Sequence, residues 1–488
     1  MFVSTNDFIM KRRQNACAGM GNVSGRFNGC GSVATNSRTR LTEYLRLIGN
    51  TVAWYQPSVG VTGTLNASAW ANQMGAAVAL EQATGANQPI YLPYSGSKYG
   101  YLPGVAGNYF STPKVAANQI TGDIAVIAYV ALDDWTPAAQ ADILTRFQNG
   151  AGNLSWEFRV AATSGFLAWQ WSADGSVAVA TQSSSAAPVF SDVAYGYIAI
   201  SHDVDNGATG NDVKFWTSTD GVIFTQLGTT QTLAGVTSIA AGNANMLLGA
   251  WNAGANGNMF GRTKMAALYN GIPPILGGSG SVVPVQQWNA SDWSETTTNG
   301  ATQASSTTGE VWTLNNTAIA TPAGLIGSSF IVANELDRWM RATYTANQPR
   351  TLYLVGMDPV WAAGKYIADG VTANTLGLSK TTATPSISIN AGAAAAENAG
   401  FTLRAKHILT IVLNGASSST AIDAVAAVTG NAGAGNPGGL TIGADGGTPT
   451  AGTYGGFWYS EILDRDGEDT ATVQATIRNA LKQIHHTP

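Results

Sequence analysis

Short apolar runs, alternating or continuous and broken by Gly, Asn, Asp and Pro, fill the chain from Thr51 onward. Runs of this length between turn residues predict β-strands. In the first half they fall at Trp54-Tyr55, 90–92, 124–132, 156–161, 166–171, 177–180, 197–202, 213–217, 246–248 and 263–269. In the second half they fall at 330–332, 350–355, Tyr366-Ile367, 386–389, 407–413, 440–442 and 457–463. Helical spacing is read in two places. Residues 40–48 bring Leu41, Tyr44, Leu45 and Leu47/Ile48 together, and near the other end Val473, Ile477, Leu481 and Ile484 form one apolar stripe. Asp469 stands where an N-cap is needed, with Arg478 and Lys482 toward the carbonyl end. The pattern therefore predicts an all-β chain with a short helix at each end.

A strand pattern recurs at an offset of 226 residues, and the order of elements repeats further on. VIAYVALDDW from Val126 parallels LYLVGMDPVW from Leu352, and each follows a polar loop with aromatic residues. NMLLGA from Asn245 parallels GLTIGA from Gly439, and each is followed by a Gly-rich loop and a further strand. Regular short strands with Gly and Asn turns suit β-sandwiches. Residues 275–284 (ILGGSGSVVP) read as a flexible Gly/Ser connection. The expected division is an arm with a short helix at 1–50, a first sandwich at 51–276, a linker at 277–284 and a second sandwich at 285–488.

Composition supports this and adds an asymmetry. At 488 residues the chain has room for two domains of roughly 200 residues. Only 11% of residues are charged and 57 are Gly, a mix that favours strands and tight turns over helices. The net charge is −5, yet residues 1–50 carry seven basic side chains against Asp7 and Glu43, so the arm is +5 and the remainder −10. A basic arm docks on an acidic protein surface or on nucleic acid, or else is a solvated leader. Cys17 and Cys30, both in the arm, are either one bridge or two free thiols, and the sandwiches are no disulfide scaffold. No apolar stretch is long enough to span a bilayer, and residues 1–14 lack the apolar core of a secretion signal, so membrane insertion is not expected.

On these residues the chain resembles the concanavalin A-like lectin/glucanase superfamily, and within it the laminin-G-like modules of bacteriophage virion proteins. The resemblance is carried by WANQMGAAVALEQATGANQP from Trp70, by the hairpin WTSTDGVIFTQLG from Trp216, and by the order of elements from Leu440 to Ile484: IGA, a glycine loop, a strand with Glu-Ile, an acidic cap and a helix. The first module departs by lacking the closing helix, and the second by a Thr-rich entry at 294–308. The resemblance implies two tandem concanavalin A-like jelly-roll β-sandwiches. It further implies a virion structural protein made in the host cytoplasm and carried on the particle surface. The arm would bind other virion proteins rather than nucleic acid, and the chain would form a homo-oligomer. The alternative is a secreted or cell-surface adhesin, or a glycan-active enzyme, of the same superfamily.

Candidate chemistry is sparse. Glucanases of the superfamily use two carboxylates in an E-x-D-x-x-E pattern to flank one glycosidic bond. Glu335 and Asp337 begin such a pattern, but Met340 stands where the second Glu belongs, so no enzyme is expected. His202 and His407 read as structural residues, and His485 and His486 as part of a frayed tail. Asp203, Asp205 and Asp212 form the densest oxygen-ligand loop, which reads either as a calcium site or as an ordinary Asp-Asn-Gly turn. Trp169, Trp171, Trp216 and Trp251, with Trp156, offer flat faces for sugar rings. Trp169 and Trp171 lie two apart, so they share one sheet face, which is either a host-glycan platform or the core. No cofactor is required.

Overall fold

The structure is a computed structural model that describes residues 33–488, except 57, 64–65, 75–77, 94–96, 295, 317–323, 327–328, 334–336, 360, 396, 451, 486 and 488. Most of the arm, with Cys17 and Cys30, lies outside the described residues, as do Glu335 and His486. Among the described residues the strands form four antiparallel sheets, packed as two sandwiches, with helices at Val33–Ile48 and Ala471–His485. The all-β, two-sandwich architecture with a helix at each end is the one expected.

The repeat is visible in the pairing. Ile124–Leu132 is flanked by Gly196–Asp203 and Phe260–Asn270, and Arg350–Met357 is flanked in the same way by His407–Leu413 and Trp458–Asp466. Likewise Met246–Leu248 lies between Asn108–Thr112 and Ala141–Phe147, as Gly439–Ile442 lies between Met340–Thr343 and Lys365–Asp369.

The division into domains differs from the one expected. Thr51–Tyr55 pairs with Trp458–Asp466, Leu80–Glu81 with Met340–Thr343, and Ile90–Leu92 with Phe330–Val332, so residues 51–92 complete the second sandwich. Reciprocally, Pro284–Asn289 pairs with Phe260–Asn270, Val311–Asn316 with Asn108–Thr112, and Gly324–Ile326 with Tyr99–Pro103. Each repeat has handed its leading segment to the other. The first sandwich is thus the continuous run 99–326, set between Leu92 and Phe330, which are themselves cross-strand partners. Residues 277–284 are not an interdomain linker. Pro274–Leu276 is a 3-10 turn with Gly277 at φ 82° after it, and the chain folds back to pair Pro284–Asn289 with the strand it has just left.

Where the sandwiches meet, Ile90, Leu92, Tyr99, Tyr101, Phe330 and Trp458 form a shared apolar cluster. Tyr101 and Phe330 meet the Trp458 ring edge-on, at centroid distances of 6.4 and 5.6 Å. Each large side chain buried here contributes about 1.5–3 kcal/mol, so the exchange also joins the two units into one body.

The helices cover the outer face of the second sandwich alone. Arg350–Met357 and His407–Leu413 are buried along their whole length, because one face meets the core and the other meets Leu41, Leu45, Ile477, Leu481 and Ile484. The N-terminal helix therefore docks on its own chain, while Leu47, expected on its apolar face, is exposed. The cap of the C-terminal helix is Thr470, whose hydroxyl accepts the Val473 N–H. Asp469 instead receives Arg465 Nε at 2.7 Å and the Tyr353 hydroxyl at 2.9 Å. His485 is not frayed. Its Nε2 lies 2.7 Å from Glu461, which also accepts Trp54 Nε1 at 2.6 Å and pairs with Arg38 at 3.0 Å.

Two outcomes follow from this arrangement. A fragment spanning residues 97–327 will fold and melt cooperatively, whereas 51–276, which lacks its own edge strands, will not; circular dichroism and amide-dispersion NMR of the two fragments check this. Burial foremost holds the His485 imidazole below its usual range, and against burial the neighbouring Arg38 and the His485 hydrogen bond hold the Glu461 carboxyl below its own. The unfolded chain therefore binds protons first. Their stabilisation is complete above the ordinary imidazole range and is lost as pH falls through the depressed folded values. Thermal melts from pH 7 to pH 4 will show a falling Tm, with a shallower slope for His485→Gln.

Candidate functional site

Among the described residues the outer face of the nine-stranded sheet in the first sandwich carries no α-helix, and a cavity of about 410 Å³ opens at one end of it. Strand alternation builds its floor. In Gly196–Asp203, Ile198, Ile200 and His202 point into the core, so Ser201 and Asp203 point out. The neighbouring strand sets Lys214 opposite Ser201 and Asp212 opposite Asp203. Asp123 enters from the turn before Ile124, its Oδ1 accepting the Val204 N–H at 3.0 Å. The wall is the segment from Gly271 to Val282, with Leu276 buried against Ala125, Ile127 and Ala199. Gly278 is required in this wall, since a Cβ there would lie 1.8 Å from the Ile272 carbonyl oxygen. The Gly-rich stretch expected as a linker is thus the loop that shapes the cavity.

The cavity holds three carboxylates against one lysine. Burial, then the charges of Asp123 and Asp212, raise the Asp203 carboxyl above its usual range, whereas hydrogen bonds from Asn206 and Thr232 lower that of Asp212. Asn206 Nδ2 and Thr232 Oγ1 reach the Asp212 Oδ1 at 3.0 and 2.7 Å. Asp205 is exposed and outside the cavity, accepting the Gly207 N–H as a turn residue does. Among the described residues no three His, Cys, Asp or Glu side chains gather closely enough to hold a metal ion. The loop is instead closed by its own hydrogen bonds.

The four tryptophans do not converge. Trp169 and Trp171 are fully buried: Trp169 stacks on Trp156 at 5.5 Å and donates its Nε1 hydrogen to His202 Nδ1 at 3.0 Å, and Trp171 lies 4.6 Å from the His202 ring. Their shared face is the core, and burial pushes His202 down to about 3, so it stays neutral. Trp251 packs edge-on against Phe147 in the other sheet. Trp216 alone flanks the cavity. It is half-buried, donates its indole N–H to Ser201 at 3.0 Å and faces Gly277.

Ser201, Lys214 and Asp123 were not singled out from sequence. The parity of Ser201 with Asp203 and of Lys214 with Asp212 could have found two of them, but nothing local marks Asp123. At the near-motif, Met340 is wholly buried, so the position of the absent carboxylate is core. A second acid pair, Asp142 and Glu157, is also buried. Burial and its neighbour Glu157 hold the Asp142 carboxyl well above the usual range, and neither residue reaches solvent. His407 is structural, 2.6 Å from Asp423.

No protein-family model matches the chain, and no curated protein does. Among solved structures it is similar to the mouse laminin alpha1 chain domains LG4-5, at 8% identity over 77% of this chain and 96% of that one, with a TM-score of 0.27. It is also similar to the Ruminococcus gnavus IT-sialidase CBM40 bound to alpha2,3 sialyllactose, at 10% identity over 36% of this chain and 90% of that one, TM-score 0.26. A third is the heptameric SAP-like pentraxin from Limulus polyphemus, at 10% identity over 38% and 91%, TM-score 0.25. At these scores the strand pairing of this chain, and not the likeness, defines its fold.

Proposed function

We propose that the chain is a non-enzymatic carbohydrate-binding protein of concanavalin A-like type, displayed on a bacteriophage particle as a fibre, collar, tail or head-decoration component. The observation that carries the binding half is the cavity on the open sheet face. Its carboxylates accept sugar hydroxyls, Lys214 donates to ring or hydroxyl oxygens, and the half-buried Trp216 gives an apolar edge for C–H groups. The buried state of Met340 and of the Asp142–Glu157 pair supports binding over hydrolysis, and no cofactor is invoked. Two sandwiches per chain, multiplied in a homo-oligomer, would turn weak contacts into avidity.

The virion half rests on the sequence resemblance and the basic arm. The helix at Val33–Ile48 packs within the chain, so the segment proposed to hold other virion proteins is 1–32. The protein would be made in the host cytoplasm and carried on the particle surface.

A glycan array probed with the whole protein is expected to give hits that Asp203→Asn with Lys214→Ala weakens roughly tenfold or more, since hydrogen bonds to charged groups contribute about 1.5–3 kcal/mol each. An array without hits, or hits unchanged in the variant, rejects the cavity as a sugar site. Deleting residues 1–32 is expected to leave the fold intact and to abolish incorporation into particles. Normal incorporation of the deletion would reject the anchoring role.

A further inference from the structure

At the opposite end of the same open sheet face, beside the seam between the sandwiches, polar groups are gathered that the cavity does not use. Arg262 is cross-strand partner to both Tyr101 and Ala131, and Asp133 lies two residues beyond Ala131 on the same face. Arg262 is 4% exposed, Tyr101 is fully buried and Asp133 is 9% exposed. The Arg262 Nε and Nη2, both Asp133 carboxylate oxygens, the Tyr101 and Tyr195 hydroxyls and the Trp458 Nε1 have no hydrogen-bond partner among the described residues. Arg262 lies over the Tyr99 ring at 5.9 Å, and its charge is felt by Asp133, yet the two do not bond.

Buried polar groups in native proteins are nearly always partnered, and a cluster of exceptions calls for a ligand or water. The Nε/Nη2 edge of a guanidinium is the fork that grips two oxygens at once. Asp133, whose carboxyl feels the Arg262 charge without bonding to it, disfavours ligands of either charge, since an anion would meet Asp133 and a cation would meet Arg262. A hydroxyl suits both, because it donates to the carboxylate while accepting from the guanidinium. Two adjacent hydroxyls of a pyranose would use both fork nitrogens and both carboxylate oxygens. Tyr195 and Lys264, 4.3 Å apart from ring centroid to Nζ, are the half-buried side chains beside the cluster.

We propose that this seam is a second carbohydrate subsite, holding vicinal hydroxyls of a neutral sugar between Asp133 and Arg262. It rests on the carbohydrate-binding reading and extends it to a position that only the exchange of segments creates, since Trp458 belongs to the other sandwich. Burial foremost, opposed by Arg262 and reinforced by Asp192, pushes the Asp133 carboxyl up to about 6. Tyr101 and Tyr195, the other titratable groups facing it, are raised by burial and stay neutral, and Arg338 adds positive charge near Tyr101. Sugar held here is therefore released as pH falls through that value.

The test uses the full chain with maltose, cellobiose and lactose as probes, read by saturation-transfer NMR and calorimetry between pH 5 and pH 8. The expected result is binding to at least one disaccharide that weakens toward pH 5. Asp133→Asn should weaken it about tenfold at pH 8 and flatten the pH profile, and Arg262→Lys, which keeps the charge but not the fork, should weaken it similarly with an unchanged melt. Asp203→Asn with Lys214→Ala should leave this pH-dependent component in place. Unchanged affinity and profile in Asp133→Asn would mean ordered water only and overturn the subsite, even if the cavity variant loses binding. Loss in Asp133→Asn with no loss in the cavity variant would uphold the seam and reject the cavity. An absence of binding by any probe overturns the subsite.

Discussion

Everything in this molecule depends on how the exposed edges of its sheets are paired. A strand with unpaired N–H and C=O groups is costly to bury and prone to recruit other chains. In each repeat the long closing strand, Phe260–Asn270 or Trp458–Asp466, offers such an edge, and the partner that covers it comes from the other repeat's leading segment. Because the two leading segments stand in equivalent positions, the exchange keeps every pairing while crossing the chain between the sandwiches. The result is one sandwich inserted in the other, joined by the cluster around Trp458.

That arrangement decides where ligands can bind. The outer face of the second sandwich is sealed by both helices, and Glu461 ties together the N-terminal helix through Arg38, the exchanged strand through Trp54 and the C-terminal helix through His485. Among the described residues the first sandwich has no such helices. Its outer face stays open, and the cavity around Asp203 and the polar seam around Arg262 occupy its two ends.

Many strand positions, the repeat and both helices were legible in the sequence, because short apolar runs between turn residues and apolar stripes at helical spacing are local signals. Tyr99–Pro103, Asn108–Thr112, Ala141–Phe147, Pro284–Asn289 and Val311–Asn316, by contrast, were not expected as strands. The exchange was not legible. Thr51–Tyr55 and Pro284–Asn289 are interchangeable as patterns, and local sequence states that a strand needs a partner without naming it. The Gly/Ser run at 277–284 misled for a related reason, since Gly278 serves a close turn within a hairpin as readily as a linker. Parity correctly put Trp169 and Trp171 on one face, but which face is the core is set by the opposing sheet. Two of the cavity's carboxylates were found as a candidate cation loop, whereas Asp123 gains meaning only from the tertiary arrangement that brings it to the same cavity.

The exchange is tested most directly by a cross-strand disulfide. In a background of Cys17→Ser and Cys30→Ser, Met265→Cys with Asn289→Cys places two half-buried positions directly opposite each other. Oxidation should link them quantitatively within a monomer, shifting its mobility on non-reducing gels. A failure to link, with Asn289→Cys instead joining a cysteine placed on Trp458–Asp466, would mean that each repeat keeps its own leading segment and would contradict the account.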